Sequence, residues 1–156
     1  MSTPDASMTS RSPMMDSVRQ ALRWLDRIPY TLLAIPLRFA VATVFWNSAM
    51  AHLANWQATL YLFETDYRLP FLPPHPAAYT AVSIEVATPI LLILGLLTRP
   101  AAAVLIGMTA VIEIFVYPQA WPTHIQWWAM LLVLLSRGPG KISLDWLIRR
   151  LVLGDA

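Results

Sequence analysis

Three ionisable side chains, Arg38, Glu85 and Glu113, stand inside apolar runs of this 156-residue chain, where a central Arg or Asp costs about 2.5–3.5 kcal/mol on insertion scales. A charge held there needs a partner. At 1.5 Å per residue, Arg38 lies roughly 11 Å into its run and Glu85 roughly 9 Å into the opposite end of its own, which leaves a gap of about 10 Å for a guanidinium to lean across. The expectation is an ion pair between Arg38 and Glu85. Glu113 comes out near the depth of Glu85, so two carboxylates face one arginine. The formal −1 this leaves predicts that one of them, Glu113, is protonated at neutral pH and can carry a proton. Glu113, Glu85 and Arg38 are therefore the candidate catalytic residues, with a purely structural role in holding helices in register as the alternative. Counting 100° per residue puts Arg38, Phe45 and His52 near one helix face. Asn47 and His124 lie at a similar height; Trp46, Trp121, Trp127 and Trp128 read first as an outer aromatic belt, with stacking on a quinone ring as the second reading. Trp46, Asn47, His52, His124 and Trp127 thus make the candidate substrate pocket. His52 and His124 with Met50 or Glu113 would suit copper or zinc chemically, but no paired-His spacing supports a metal site, and none is assigned.

The elements that must position these residues follow from composition. The chain is 57% hydrophobic and 13% charged, against roughly 25% charged in an average soluble domain, which points to a lipid environment. Spans are expected at 30–51, 79–97, 100–117 and 122–136, giving an all-α, four-transmembrane-helix bundle in one domain, 15–156. The Ser-, Thr- and Pro-rich stretch 1–14 reads as a disordered tail. Val18, Leu22 and Leu25 share one face and Arg19, Arg23 and Arg27 another, so 15–28 is expected to be an interfacial helix, with 143–153 as a second, capped by Ser143. Between the first two spans, Asn55 to Phe63 suits a short amphipathic helix that could act as a lid. Pro70, Pro73, Pro74 and Pro76 are expected to forbid regular helix after it. Pro89 cannot donate back to the carbonyl of Glu85, which predicts a kink there.

The chain has no cysteine, so thiol redox chemistry and thiolate metal sites are excluded, and any electron transfer must use something bound. The formal charge is only +2, and the basic residues bracket apolar runs instead of forming one patch, which argues against nucleic acid. Arg11, Arg19, Arg23 and Arg27 precede the first span, Arg99 follows the second, and Arg137, Lys141, Arg149 and Arg150 follow the fourth. The long loop holds only Arg68, so both termini are expected in the cytoplasm of a multi-pass inner-membrane protein. An Ala-x-Ala pattern at Ala49 to Ala51 could mark a cleaved signal peptide, but the long leader and Arg38 inside the run weigh against it. No phosphate loop, nucleophile elbow or haem-attachment motif occurs.

Three segments carry a family resemblance: LRFAVATVFWNSAMAHL around Arg38, SIEVATPILLILGLLTR from Ser83 to Arg99, and GPGKISLD from Gly138 to Asp145. In order and spacing, from about Pro36 to Leu147, they resemble the DoxX family. That resemblance implies a four-helix bacterial inner-membrane protein linked to thiosulfate:quinone oxidoreductase subunits and to redox-stress complexes. Carried over, Arg38 matches the first-span arginine, Glu85 the second-span glutamate, and Gly95, Thr98 and Arg99 the following turn. Asn47, Ser48, His52, Ala87 and Thr88 depart from the family's pattern. The run from Trp121 to Trp127 looks like that of members associated with periplasmic metal-binding peptide systems. The expected function is an accessory subunit of a redox system, with quinone as the candidate cofactor and with protein partners, homo-oligomers or both; at most it is a subunit of a membrane oxidoreductase. The alternative is a non-catalytic membrane partner in copper stress or in peptide maturation and export, using a polar outer surface of His52, His75 and His124.

Overall fold

A segment that meets hydrocarbon must satisfy every backbone N–H and C=O within itself, so the apolar runs of this chain become helices. The computed structural model describes residues 13–67 and 69–154, and no strand occurs among them. The helices are α1 (Pro13–Asp26), α2 (Tyr30–Ala54), α3 (Trp56–Thr65), α4 (Pro74–Leu94), α5 (Thr98–Val111), α6 (Trp121–Arg137) and α7 (Leu144–Leu153). A π-helical turn, Ile112–Val116, extends α5, and a 3₁₀ turn, Pro118–Ala120, leads into α6. The expected disordered tail lies outside the described residues except at its end, where helix already begins at Pro13.

Among the described residues three helical stretches, Tyr30–Ala54, Pro74–Leu94 and Thr98–Val116, are long and apolar enough to cross a membrane. At 17 residues α6 is shorter, about 25 Å long. It nevertheless completes a ring: α2 packs on α4, α4 on α5, α5 on α6, and α6 on α2. Phe45, Leu92, Leu105, Leu131 and Leu134 fill the centre. The ring also buries polar side chains and turns large apolar ones outward. Arg38, Glu85, Thr109 and His124 are buried, while Leu32, Phe39, Ile90 and Leu94 are exposed. That distribution suits lipid, not water.

Helix α4 begins at Pro74, well before the expected Tyr79, and ends at Leu94, short of the expected Leu97. The prolines do not forbid its first turn, because the first N–H groups of a helix have no acceptor within it and their loss there costs nothing. Its end is set by Gly95, which adopts φ +66°. The Leu96 N–H donates back to the Leu91 carbonyl at 2.9 Å, closing the left-handed glycine termination.

The turn from α4 to α5 is held from a distance. Leu97 takes a left-handed φ of 48°, uncommon for a residue with a Cβ. No side chain at the start of α5 caps that helix. The Asp145 carboxylate does so instead, accepting from the Leu97 and Thr98 N–H groups at 2.8 and 3.0 Å. Asp145 in turn donates its own N–H to the Gly95 carbonyl at 2.9 Å. Ser143 caps α7 through the Trp146 N–H at 3.2 Å. Asp145→Ala is expected to destabilise the protein by about 1–2 kcal/mol, the usual worth of a charged helix cap. Thermal unfolding in detergent micelles checks this; an unchanged midpoint would remove Asp145 from the turn's support.

Candidate functional site

Arg38 does not pair with Glu85. Its guanidinium donates to the Leu92 carbonyl at 2.6 Å, to the Ile142 carbonyl at 2.7 Å, to the Pro139 carbonyl at 3.3 Å and to the Ile93 carbonyl. Leu92 and Ile93 end α4, where the last carbonyls of a helix lack partners in it. These acceptors lie seven and eight residues beyond Glu85, so the axial gap of about 10 Å is real and is not bridged. The direction of the side chains explains why. Each Cα–Cβ bond tilts toward its own helix N-terminus, and α2 and α4 run antiparallel, so Arg38 and Glu85 lean away from each other. Arg38 binds the motif from Gly138 to Asp145 to the end of α4, and it does not line the cavity described next.

The same tilt brings Glu85 toward residues nearer the far end of α2. Ser48 Oγ donates to Glu85 Oε1 at 2.9 Å, and His52 Nδ1 lies 2.9 Å from Oε2. Ser48 and His52 are one turn apart, so both face the same carboxylate. Glu85 is buried. On the other side of the ring, His124 Nδ1 lies 2.5 Å from Glu113 Oε2. Glu113 stands in the π-helical turn; the extra residue in such a turn re-aims the side chains of a helix, and these turns gather at functional sites. The two glutamates therefore do not share one arginine. Each has its own histidine.

Between these pairs lies a cavity of about 570 Å³, within the range of small-molecule sites. His52, Glu85 and His124 line it, together with Phe45, Trp127 and Ser48. Trp127 stands between Phe45 and His124, with ring centroids 5.6 and 4.8 Å away. Trp46 and Asn47 do not join them. Both are exposed on α2, because one and two residues past Phe45 the helix has turned by about 100° and 200° away from the cavity. Among the described residues no group of three or more His, Asp or Glu side chains is placed to hold a metal ion.

Helix α3 and the segment after it roof the cavity through Phe63, Tyr67, Leu69 and Leu72. The amphipathic helix expected from Asn55 to Phe63 is thus present, as Trp56–Thr65, and covers the site. Asn55 caps it by accepting from the Ala58 N–H at 3.0 Å. The Tyr67 and Tyr117 hydroxyls meet at 2.7 Å. Burial, and then the bond to Tyr117, push the Tyr67 phenol above its ordinary range, so this latch stays protonated at neutral pH. Ser48 could have been found as the residue one turn before His52; Tyr67 and Tyr117 are 50 residues apart, and no local pattern marks them. The polar outer surface expected from three histidines is not formed: His52 and His124 face the cavity, while His75 pairs with Glu64 at 2.7 Å on the exposed side.

The model of the DoxX family matches residues 33–118, which hold Arg38, His52, Glu85 and Glu113. An uncharacterised protein of Haemophilus influenzae is 30% identical over 129 residues, which cover 73% of this chain and 82% of that protein. No solved structure matches the chain. With more than half of its residues inside the family match, and a relative aligned over most of both lengths, the chain belongs to the DoxX family.

Proposed function

We propose that this chain is an accessory subunit of a quinone-linked redox system in the bacterial inner membrane. The cavity receives the quinone head, and the pairs His52–Glu85 and His124–Glu113 hold its protons. One observation carries the reading: each imidazole binds a carboxylate through Nδ1, which leaves Nε2 as the ring nitrogen available on a side chain lining a largely apolar cavity. A carboxylate on Nδ1 fixes the tautomer in which Nε2 accepts a proton or, once protonated, gives one. Reducing a quinone to a quinol takes up two electrons and two protons. Two such pairs match the two oxygens, and the electrons come from the redox centre of a protein partner.

The same reading makes α6 the fourth crossing and puts both termini in the cytoplasm. Its support is the clustering of Lys and Arg before α2, in the α4–α5 turn and after α6, while α3 and its neighbouring loops are nearly free of them. Arg38 serves the site from a distance by joining the end of α4 to the segment before α7.

The test uses the full chain in nanodiscs, with extracted quinone measured directly and decylubiquinone binding measured by titration. His52→Ala and His124→Ala are each expected to weaken binding about tenfold, the loss of one hydrogen bond of about 1.4 kcal/mol. Unchanged affinity in both variants would end the quinone reading.

A further inference from the structure

The roof of the cavity is fastened at several points. Tyr67 is hydrogen-bonded to Tyr117 and packs edge-on to Phe63 at 5.1 Å. Phe71 meets Phe115 at 5.7 Å, and Trp56 holds α3 against Tyr79 of α4 at 4.8 Å. The wall between α4 and α5 is built differently. These helices are tied at one end by the Gly95–Leu97 turn, and toward the roof α4 offers only Ala77, Thr80 and Ala81 to the cavity. Thr80 and Val104 line the cavity and are also exposed, Val104 by 44%. Between them Ile84 and Met108 line it and are half-buried.

Thr80 stands six residues from the start of α4, and Val104 six from the start of the antiparallel α5. Each is therefore about 9 Å in from an opposite end of helices roughly 30 Å long, α5 being counted with its π-helical extension to Val116, and the slot they bound is about 12 Å tall at mid-height. At that depth a spanning helix faces hydrocarbon.

We infer that the cavity is loaded from within the bilayer, through a slot between α4 and α5, by an amphiphile whose polar ring reaches the two histidines while its hydrocarbon chain trails through the slot into lipid. The inference rests on the reading above that the cavity is a ligand site. Ile84, Val104 and Met108 give the slot a mainly apolar lining, so a chain lying in it exchanges one hydrocarbon contact for another, while the ring finds hydrogen-bonding groups that lipid lacks. A water-borne ligand has the fastened roof to pass.

The chain has no cysteine of its own, so one introduced thiol reports on access. Ala81 lines the cavity and is half-buried, and Ala81→Cys in proteoliposomes is the reporter, with exposed Tyr61→Cys as the control. The charged thiosulfonate MTSET, added from water on both sides, is expected to label Tyr61→Cys and to leave Ala81→Cys intact. Lipid-dissolved N-pyrenylmaleimide is expected to label Ala81→Cys, and Thr80→Trp with Val104→Trp, both on the exposed surface, to slow that labelling at least tenfold. Tyr67→Phe, which removes the roof's hydrogen bond to Tyr117, is expected to leave it unchanged. Labelling by MTSET that Tyr67→Phe accelerates, labelling indifferent to the tryptophan pair, or no labelling of Ala81→Cys by either reagent would each overturn the slot. No quinone enters this assay, so its failure is separate from a failure of decylubiquinone to bind.

Discussion

Arg38→Leu is expected to destabilise the protein by at least about 4 kcal/mol, because a hydrogen bond to a charged group is worth about 1.5–3 kcal/mol and four carbonyls lose theirs together. Two of them, Leu92 and Ile93, end α4, and Pro139 and Ile142 belong to the segment that closes over it. Arg38 is 4% exposed, so water cannot replace the guanidinium without opening the ring. Leucine fills the space and satisfies none of the acceptors. Arg38→Lys should recover only part of the loss, since an ammonium lacks the planar fork that spans acceptors on two segments. The measurement is thermal unfolding in micelles, with the yield of monodisperse protein as a second readout. A double-mutant cycle with Glu85→Gln separates this account from an ion pair across α2 and α4: the expected coupling is below about 0.5 kcal/mol, as for residues without shared partners. A coupling of several kcal/mol would restore the ion pair.

The second large effect is expected at Gly95. A Cβ there would lie 2.5 Å from Ser143 Cβ and 2.9 Å from Arg38 Nη2, on a backbone at φ +66°. Ser143 Cβ cannot swing aside, because it is fixed to the backbone that caps α7. Gly95→Ala combines the left-handed penalty of about 1 kcal/mol with overpacking of about 1–3 kcal/mol, giving an expected loss of about 2–4 kcal/mol. Gly107→Ala is the internal control. Nothing lies within 4 Å of a Cβ at that position in α5, and the exchange is expected to be neutral or to stabilise by up to about 1 kcal/mol. Equal unfolding midpoints for the two variants would mean that the Gly95 turn carries no special constraint.

Hydropathy made the helices legible because length and apolar character are properties of each segment alone. The first run was expected at 30–51 and is helical from Tyr30 to Ala54; the last, expected at 122–136, is helical from Trp121 to Arg137. That Arg38, Glu85 and Glu113 need partners was legible for the same reason, since a charge in hydrocarbon is costly whatever surrounds it. Which partner each takes was not. Residue counting gives height along a helix, but the choice also depends on the tilt of each side chain toward its own N-terminus, which sends Arg38 one way and Glu85 the other. The acceptors of Arg38 are backbone carbonyls, which every residue has and no residue type announces. Glu85 found His52, already a pocket candidate, and Glu113 found His124, so the titratable members of the site were in hand with wrong pairings. Trp46 and Asn47 share the height of the site but not its azimuth. Pro74 and Pro76 read as helix breakers only because the start of α4 was placed too late; at a first turn the same ring is harmless.

Ribosomal synthesis meets the Arg38 site in an awkward order. Pro139 and Ile142 follow Arg38 by 101 and 104 residues, an interval of about 5–20 s at ordinary elongation rates. Throughout that time α2 carries a cation whose last two acceptors have not yet been made. Emergence of Ile142 then completes the solvation of a charge introduced about a hundred residues earlier, so maturation of the Arg38 site waits on the segment that follows α6, and a chain cut between Arg137 and Pro139 leaves the guanidinium with its α4 acceptors alone.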